Sequence, residues 1–265
     1  MNQAGCAVTG STTFSGALAK EGTGIWTLDA ALAPASVALN AGTLVLGHAD
    51  AIGSSGTISF GGGTLQASAS NTTDYSARFS NADSQQYKID TNGQNITLAT
   101  ALTSSGGSFT KLGAGTVTLS GNNTYTGTTT VSAGTLELSG TAGSLTATSA
   151  VNISGGTLLL SGSAANRINN TASISLGGDT DSHLQLSGAV TETMGDLTLS
   201  FGAGARVIDF GSTSGVLTFA SLWADSPGPV HIWNWSGFIG TGGGTDQLFI
   251  TSGMLEGSLA LSDIS

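Results

Sequence analysis

Three places in the sequence hold residues whose types and spacing could do chemistry. The densest acidic spot is "GGDTDSH", residues 177 to 183. On a strand, where side chains alternate with a period of two, Asp179 and Asp181 would share one face. A carboxylate pair so placed can hold Ca²⁺ or work as acid and base on a glycosidic bond. On a corner between an apolar segment ending at Leu176 and another starting near Leu184, the same residues simply solvate a turn, which is the plainer reading.

The second place is "TGGGTDQLF", residues 241 to 249, which fits the calcium-binding nonapeptide pattern except that Thr241 stands for its first glycine. Asp246 is its candidate metal ligand. That motif holds calcium between coils stacked in tandem, and this copy stands alone, so a turn leading into a strand at 247–250 competes with it. The third place is the pair Trp233 and Trp235. Two positions apart, they would project from one strand face as a binding platform for sugar rings, or else cover the open end of a repeating fold.

The rest of the inventory is thin. His48, His183 and His231 are scattered, and Cys6 is the only cysteine, with no histidine near it in sequence. That pattern suggests no zinc site and no cysteine nucleophile, and it rules out an intrachain disulfide. No catalytic residue and no cofactor is assigned. Six Lys and Arg against sixteen Asp and Glu give a net charge of −10, with no basic run to offset it. Such a chain repels phosphate backbones, so nucleic acid is not an expected partner, and an acidic polysaccharide is a poor ligand unless a metal bridges the charges. Surface glycans or like chains are the partners left.

Charged residues make up only 8% of the chain, and Ser, Thr, Asn and Gln are abundant, as suits a secreted or cell-surface protein. No stretch approaches the roughly 20 apolar residues that a membrane-spanning helix needs. The N-terminus, "MNQAGCAVTG", lacks the charged and apolar regions of an export signal, so the expectation is a mature fragment with Met1 added.

These residues need a scaffold, and the scaffold is written in a repeat. The phrase Gly-Thr-apolar-x-apolar recurs as "AGTLVL" at 41–46, "GGTLQA" at 62–67, "GAGTVTLSG" at 113–121, "AGTLELSG" at 133–140 and "GGTLLLSG" at 155–162. The steps from Gly42 to Gly63, from Gly115 to Gly134 and from Gly134 to Gly156 are nearly equal, a period of about 20 residues, which is that of a short solenoid coil. A longer unit also recurs. "KEGTGIWTL" at 20–28 stands before Gly42 at nearly the same spacing as "KLGAGTVTL" at 111–119 before Gly134.

Each phrase reads as a glycine corner followed by a short strand with one apolar face, as in Leu136 and Leu138 against Thr135 and Glu137. A single such unit cannot bury that face alone. Stacked at roughly 4.8 Å, each coil covers the next. The fold predicted is all-β, a single right-handed parallel β-helix of about twelve coils, roughly 55 to 60 Å long. An antiparallel sandwich would favour Asn-Gly or Asp-Gly hairpins, and Asn92-Gly93 is the single such pair.

The segment "FTKLGAGTVTLSGNNTYTGTTTVSAGTLEL", 109–138, resembles the autotransporter-associated β-strand repeat, or passenger-associated transport repeat, of bacterial surface passenger domains. The shared pattern is Lys-x-Gly-x-Gly-Thr-Leu, then Asn-Thr-Tyr-x-Gly-x-Thr, then Ala-Gly-Thr-Leu, with Val117 for the first Leu. The segments 51–66 and 89–98 are similar to the usual lead-in, whereas the first unit, 20–46, lacks the Asn-Thr-Tyr part. The resemblance implies a secreted, β-helical passenger and points to no particular activity, since such repeats occur in adhesins and proteases alike.

Residues 217–250 resemble the C-terminal section of surface proteins in which such repeats precede a sorting anchor. Pro227-Gly228-Pro229 suggests a break. The division expected is therefore a β-helix over 1–215 and a capping section over 216–265. Asn122-Asn123 and Asn169-Asn170 read as amide ladders inside the coils or as corners. Thr128-Thr129-Thr130 would contribute to a flat threonine array only if other coils supplied the same residue, and the repeated phrases do not. The function expected is a non-catalytic structural or adhesive surface stalk. Alternatives are a carbohydrate-binding or carbohydrate-cleaving β-helix, and a self-assembling filament module built on exposed end coils.

Overall fold

The computed structural model describes residues 6–9, 14–211, 214–224, 230–234 and 246–251. Among these there is no α-helix, and a single 3₁₀ turn covers Ser76–Arg78. An eleven-stranded sheet, parallel throughout, runs from Cys6–Val8 to Leu222–Ala224. A seven-stranded parallel sheet, from Ile96–Leu98 to Val230–Trp233, forms a second side. Three short sheets make the third: Ala17–Lys20 with Ser36–Leu39 and Thr57–Phe60, Asn122–Asn123 with Ser144–Leu145, and Thr191–Met194 with Val216–Phe219 and Gln247–Ile250.

The chain visits these sides in a fixed order, long sheet, second sheet, third side, and so forms a parallel β-solenoid. In the first coils residues 29–35, 47–56 and 67–75 replace the second-sheet strand with irregular chain. Eleven stacked strands make ten interstrand steps. The described rod is therefore about ten coils and roughly 48 Å long, shorter than the length expected from sequence. Several coils exceed the period of the repeated phrase, such as the one that leads from Thr64 to its register partner Lys88.

Alternation does what the pattern predicted. In the long sheet one inward column reads Leu44, Leu65, Ile89, Lys111, Val131, Ile153, Leu176, Leu199, every member buried. In the second sheet Leu136, Leu158, Leu184, Ile208 and Ile232 stack likewise. These columns belong to one continuous apolar core. Part of it is filled by rings: Phe60 meets Phe79 edge-on at 4.8 Å between centroids, and Phe109 stacks on Tyr125 at 6.4 Å.

The repeated phrase encodes a corner and the strand after it, not a fixed side of the rod. Thr43–Leu46 and Thr64–Gln66 lie in the long sheet, whereas Thr116–Leu119, Thr135–Leu138 and Gly156–Ser161 lie in the second. Gly42 and Gly134 head equivalent corners at φ of 66° and 64°. A Cβ on Gly134 would stand 2.4 Å from Gly115 O and 2.6 Å from Gly113 O, so only glycine fits.

Both corners are closed by a buried lysine from the coil before: Lys20 ends Ala17–Lys20, and Lys111 stands next to last in Ser108–Leu112. Lys20 Nζ donates to the carbonyls of Glu21 (2.7 Å), Gly22 (2.8 Å) and Ala41 (3.1 Å). Lys111 Nζ donates to those of Leu112 (2.9 Å), Gly113 (2.6 Å) and Ala133 (3.1 Å), and to Thr91 Oγ1 (2.9 Å). Each ammonium thus binds its own corner and the corner of the next coil. Burial pushes the Lys111 pKa down to about 8, against the pull of Asp90.

The other cations do similar work. Arg78 donates to Gly53 and Gly56, Lys88 to Gly62, Arg167 to Gly140, Gly143 and Ser161, and Arg206 to Ser200, all at carbonyl oxygens. All six basic side chains of the chain therefore bond the main chain. Lys20, Lys111, Arg167 and Arg206 are buried, so their charges are withdrawn from the solenoid's surface.

Strands Val216–Phe219, Leu222–Ala224, Val230–Trp233 and Gln247–Ile250 go on pairing in the three sides. Continuous parallel pairing thus runs across residue 215, where the sequence suggested a division. Pro227-Gly228-Pro229 and most of the expected capping section lie outside the described residues.

Candidate functional site

The outer face of the second sheet carries the densest set of planar polar and aromatic side chains near its C-terminal end. Two outward columns run side by side there. One reads Thr157, His183, Val207, His231, and the other Leu159, Gln185, Asp209, Trp233. Trp233 closes its column with 39% of its surface exposed. Its ring meets His183 edge-on at 5.4 Å, two strands back, and Val207, outward-facing on the strand between, is fully buried.

Asp209 is the hub of the polar part. One carboxylate oxygen accepts from Gln185 Nε2 at 2.9 Å; the other accepts from Asn234 Nδ2 at 2.7 Å and from Gly211 N at 2.8 Å. Asp209 is 6% exposed and its carboxylate is held by donors from three successive coils, so its orientation is fixed. An indole braced by an imidazole, beside an immobilised carboxylate and two amides, can stack on a ring and hydrogen-bond its substituents.

Of the residues singled out from sequence, Trp233 belongs to this cluster and Trp235 lies outside the described residues. Asp179 and Asp181 are exposed on the corner between Ser173–Leu176 and Ser182–Ser187. There they accept the main-chain N–H groups of Ala203 (3.5 Å) and Ala205 (2.8 Å) in the next coil. Asp246 is buried at the foot of strand Gln247–Ile250, where its Oδ1 accepts from Gly215 N at 2.9 Å. Thr241 to Thr245 of its motif lie outside the described residues. Among the described residues no three His, Cys, Asp or Glu side chains converge as a metal site.

His183, Gln185, Asp209 and Asn234 escaped the sequence reading as a group. The signal was there: Gln185, Asp209 and Trp233 follow one another at equal intervals along the chain, each at an outward position.

The threonines do not form an unbroken array. One outward column of the long sheet reads Thr43, Thr64, Lys88, Thr110, Thr130, Asn152, Ser175, Thr198, Trp223. Thr130 is thus one rung of a hydroxyl-rich ladder. Thr43 and Thr64 are the threonines of two repeated phrases, whereas the later rungs come from other segments, and Lys88, Asn152 and Ser175 interrupt the threonines.

Interior polar residues bind coil to coil. Asn123, 1% exposed, accepts from Leu102 N at 3.0 Å in the coil before and donates to Ser144 O at 3.0 Å in the coil after. Tyr125, also 1% exposed, places its hydroxyl 2.6 Å from Thr129 Oγ1. Lys111, the corner glycines, Asn123, Tyr125 and Thr129 all fall within one stretch, and residues 109–138 match the family model of the passenger-associated-transport-repeat. Residues 109–138 are thus similar to a passenger-associated-transport-repeat. In three dimensions this repeat is about one and a half coils, beginning at inward Phe109 and ending at inward Leu138. Its signature residues are the ones that close corners and bridge coils. No curated protein and no solved structure matches the chain.

Proposed function

We propose that this chain is the non-catalytic stalk of a bacterial surface passenger, holding a binding face away from the cell. The carrying observation is where the polar chemistry goes. All six cations, Asn123 and the corner carboxylates of Asp179 and Asp181 bind main-chain groups of their own or adjoining coils. Residues used in this way make a stiff rod. The passenger-associated-transport-repeat match supports the surface location, and the hydroxyl-rich column of the long sheet supplies a polar outer face suited to many weak contacts.

Protease shaving tests this reading. In intact cells of the producing bacterium, an epitope inserted after Thr9 is released to the medium by an impermeant protease. Retention of the tag until lysis overturns the proposal.

A further inference from the structure

The geometry points to the outer face around Trp233 as a binding site for a neutral glycan. We infer this from three independent features of the cluster.

The first is the ring. Trp233 is 39% exposed, large, and fixed by edge-on contact with His183 at 5.4 Å. The apolar face of a pyranose stacks on such a ring, while its rim of hydroxyls needs partners close by. The second is those partners. Asp209 and Gln185 occupy the two rungs before Trp233 in the same column, and Asn234 follows it. Their mutual bonds at 2.9 and 2.7 Å fix the planes of one carboxylate and two amides, which removes most of the entropy cost of ordering them around a ligand. Vicinal hydroxyls match such planar groups because each hydroxyl both donates and accepts.

The third feature selects the charge of the ligand. The chain carries −10 overall, and all six of its cations bond main-chain carbonyls. Asp209 gives the cluster a negative charge, and no Lys or Arg stands in its two columns to attract a sialic acid, uronate or sulfate group. The ligand class is an uncharged oligosaccharide. This inference is independent of the stalk reading, since a rod without a glycan site would still be a rod.

The test uses the whole chain labelled with 5-fluorotryptophan, its Trp233 resonance assigned by the conservative Trp233→Phe variant. Neutral oligosaccharides identified on a glycan array are titrated in. The expected result is a saturable shift of the Trp233 resonance with no shift at Trp223, which is 47% exposed on the outer face of the long sheet. Trp233→Ala is expected to weaken binding about tenfold and Trp223→Ala to leave it unchanged, with circular dichroism confirming the fold. Because the resonance is read in unmutated protein, a misfolded alanine variant would not remove the test. Failure to retain any neutral glycan, equal retention of sialylated or sulfated ones, or a shift confined to Trp223 overturns the inference.

Discussion

Lys111 and Ala133 are joined across two successive coils: the ammonium of one donates to the carbonyl of the other at 3.1 Å, as Lys20 does to Ala41 at the same distance. Both lysines sit in inward columns otherwise filled by Leu, Ile, Val and Phe. A cation at such a position is tolerated because several oxygens surround it, and in return it satisfies acceptors that a tight corner would leave bare.

Lys111→Met should therefore cost about 3 kcal/mol of stability, as the Leu112, Gly113 and Ala133 carbonyls lose this donor. Lys88→Met is the control. Lys88 lies in an outward column and donates to Gly62 alone, so its loss should cost less than about 1 kcal/mol. Urea denaturation of both variants measures the difference.

Gly134→Ala should destabilise by about 2 kcal/mol or more, because a side chain must adopt a φ of 64° and meets two carbonyl oxygens of neighbouring corners. Gly140 is also at positive φ, but a Cβ placed there would meet no atom within 4 Å, so the same change should cost about 1 kcal/mol. Equal losses at the two sites would show that coil contact plays no part.

Glu192 gives the fold a pH dependence. It is fully buried in an inward column with Leu217 and Leu248, and its two oxygens accept from Arg167 N at 2.7 Å and Ile168 N at 3.2 Å. Burial pushes its pKa up to about 7, with those two N–H groups and the Arg167 charge opposing. A raised carboxyl pKa means that the folded state holds the proton more tightly than the unfolded one. Its contribution is greatest below the ordinary carboxyl range, falls as pH rises towards 7, and is level beyond. Wild type should lose stability relative to Glu192→Gln between pH 5 and pH 8, by on the order of 1–3 kcal/mol. A pH-independent difference between the two would refute the assignment.

Asn123→Ala should cost about 2 kcal/mol, since it leaves Leu102 N–H and Ser144 C=O without their side-chain partner. Hydrogen exchange at the Leu102 amide gives a local readout. It should speed up well beyond the global loss of stability, whereas unchanged relative protection would mean that Asn123 does not bridge the coils.

The architecture was legible because the repeat is local: Gly-Thr-Leu phrases at a nearly constant spacing carry both corner and alternation. The roles of Lys20, Lys111 and Asn123 were not. A lysine after a strand reads as solvated until the next corner is seen to bring a carbonyl to it. The outward columns were hidden for a related reason. Coil length varies, so Thr64, Thr110 and Thr198 align only once pairing is known; Gln185, Asp209 and Trp233 are equally spaced, but that this spacing equals one coil is known only from the register. Asp179 and Asp181 looked chemical because acids two apart suggest a shared face, yet the corner turns them towards main-chain N–H groups of the next coil.

Whether the solenoid is a straight, stiff rod is decided by electron–electron distance measurements between spin labels on the long sheet. With Cys6→Ser removing the native thiol, labels go at Thr43, Thr110 and Thr198, which share one outward column at three and then four interstrand steps. A stiff rod gives narrow distributions, with the Thr43 to Thr198 separation roughly 34 Å and equal to the sum of the two shorter ones. A broad distribution, or an end-to-end distance well short of that sum, would mean that the coils bend or slip against one another and that the chain is no stalk.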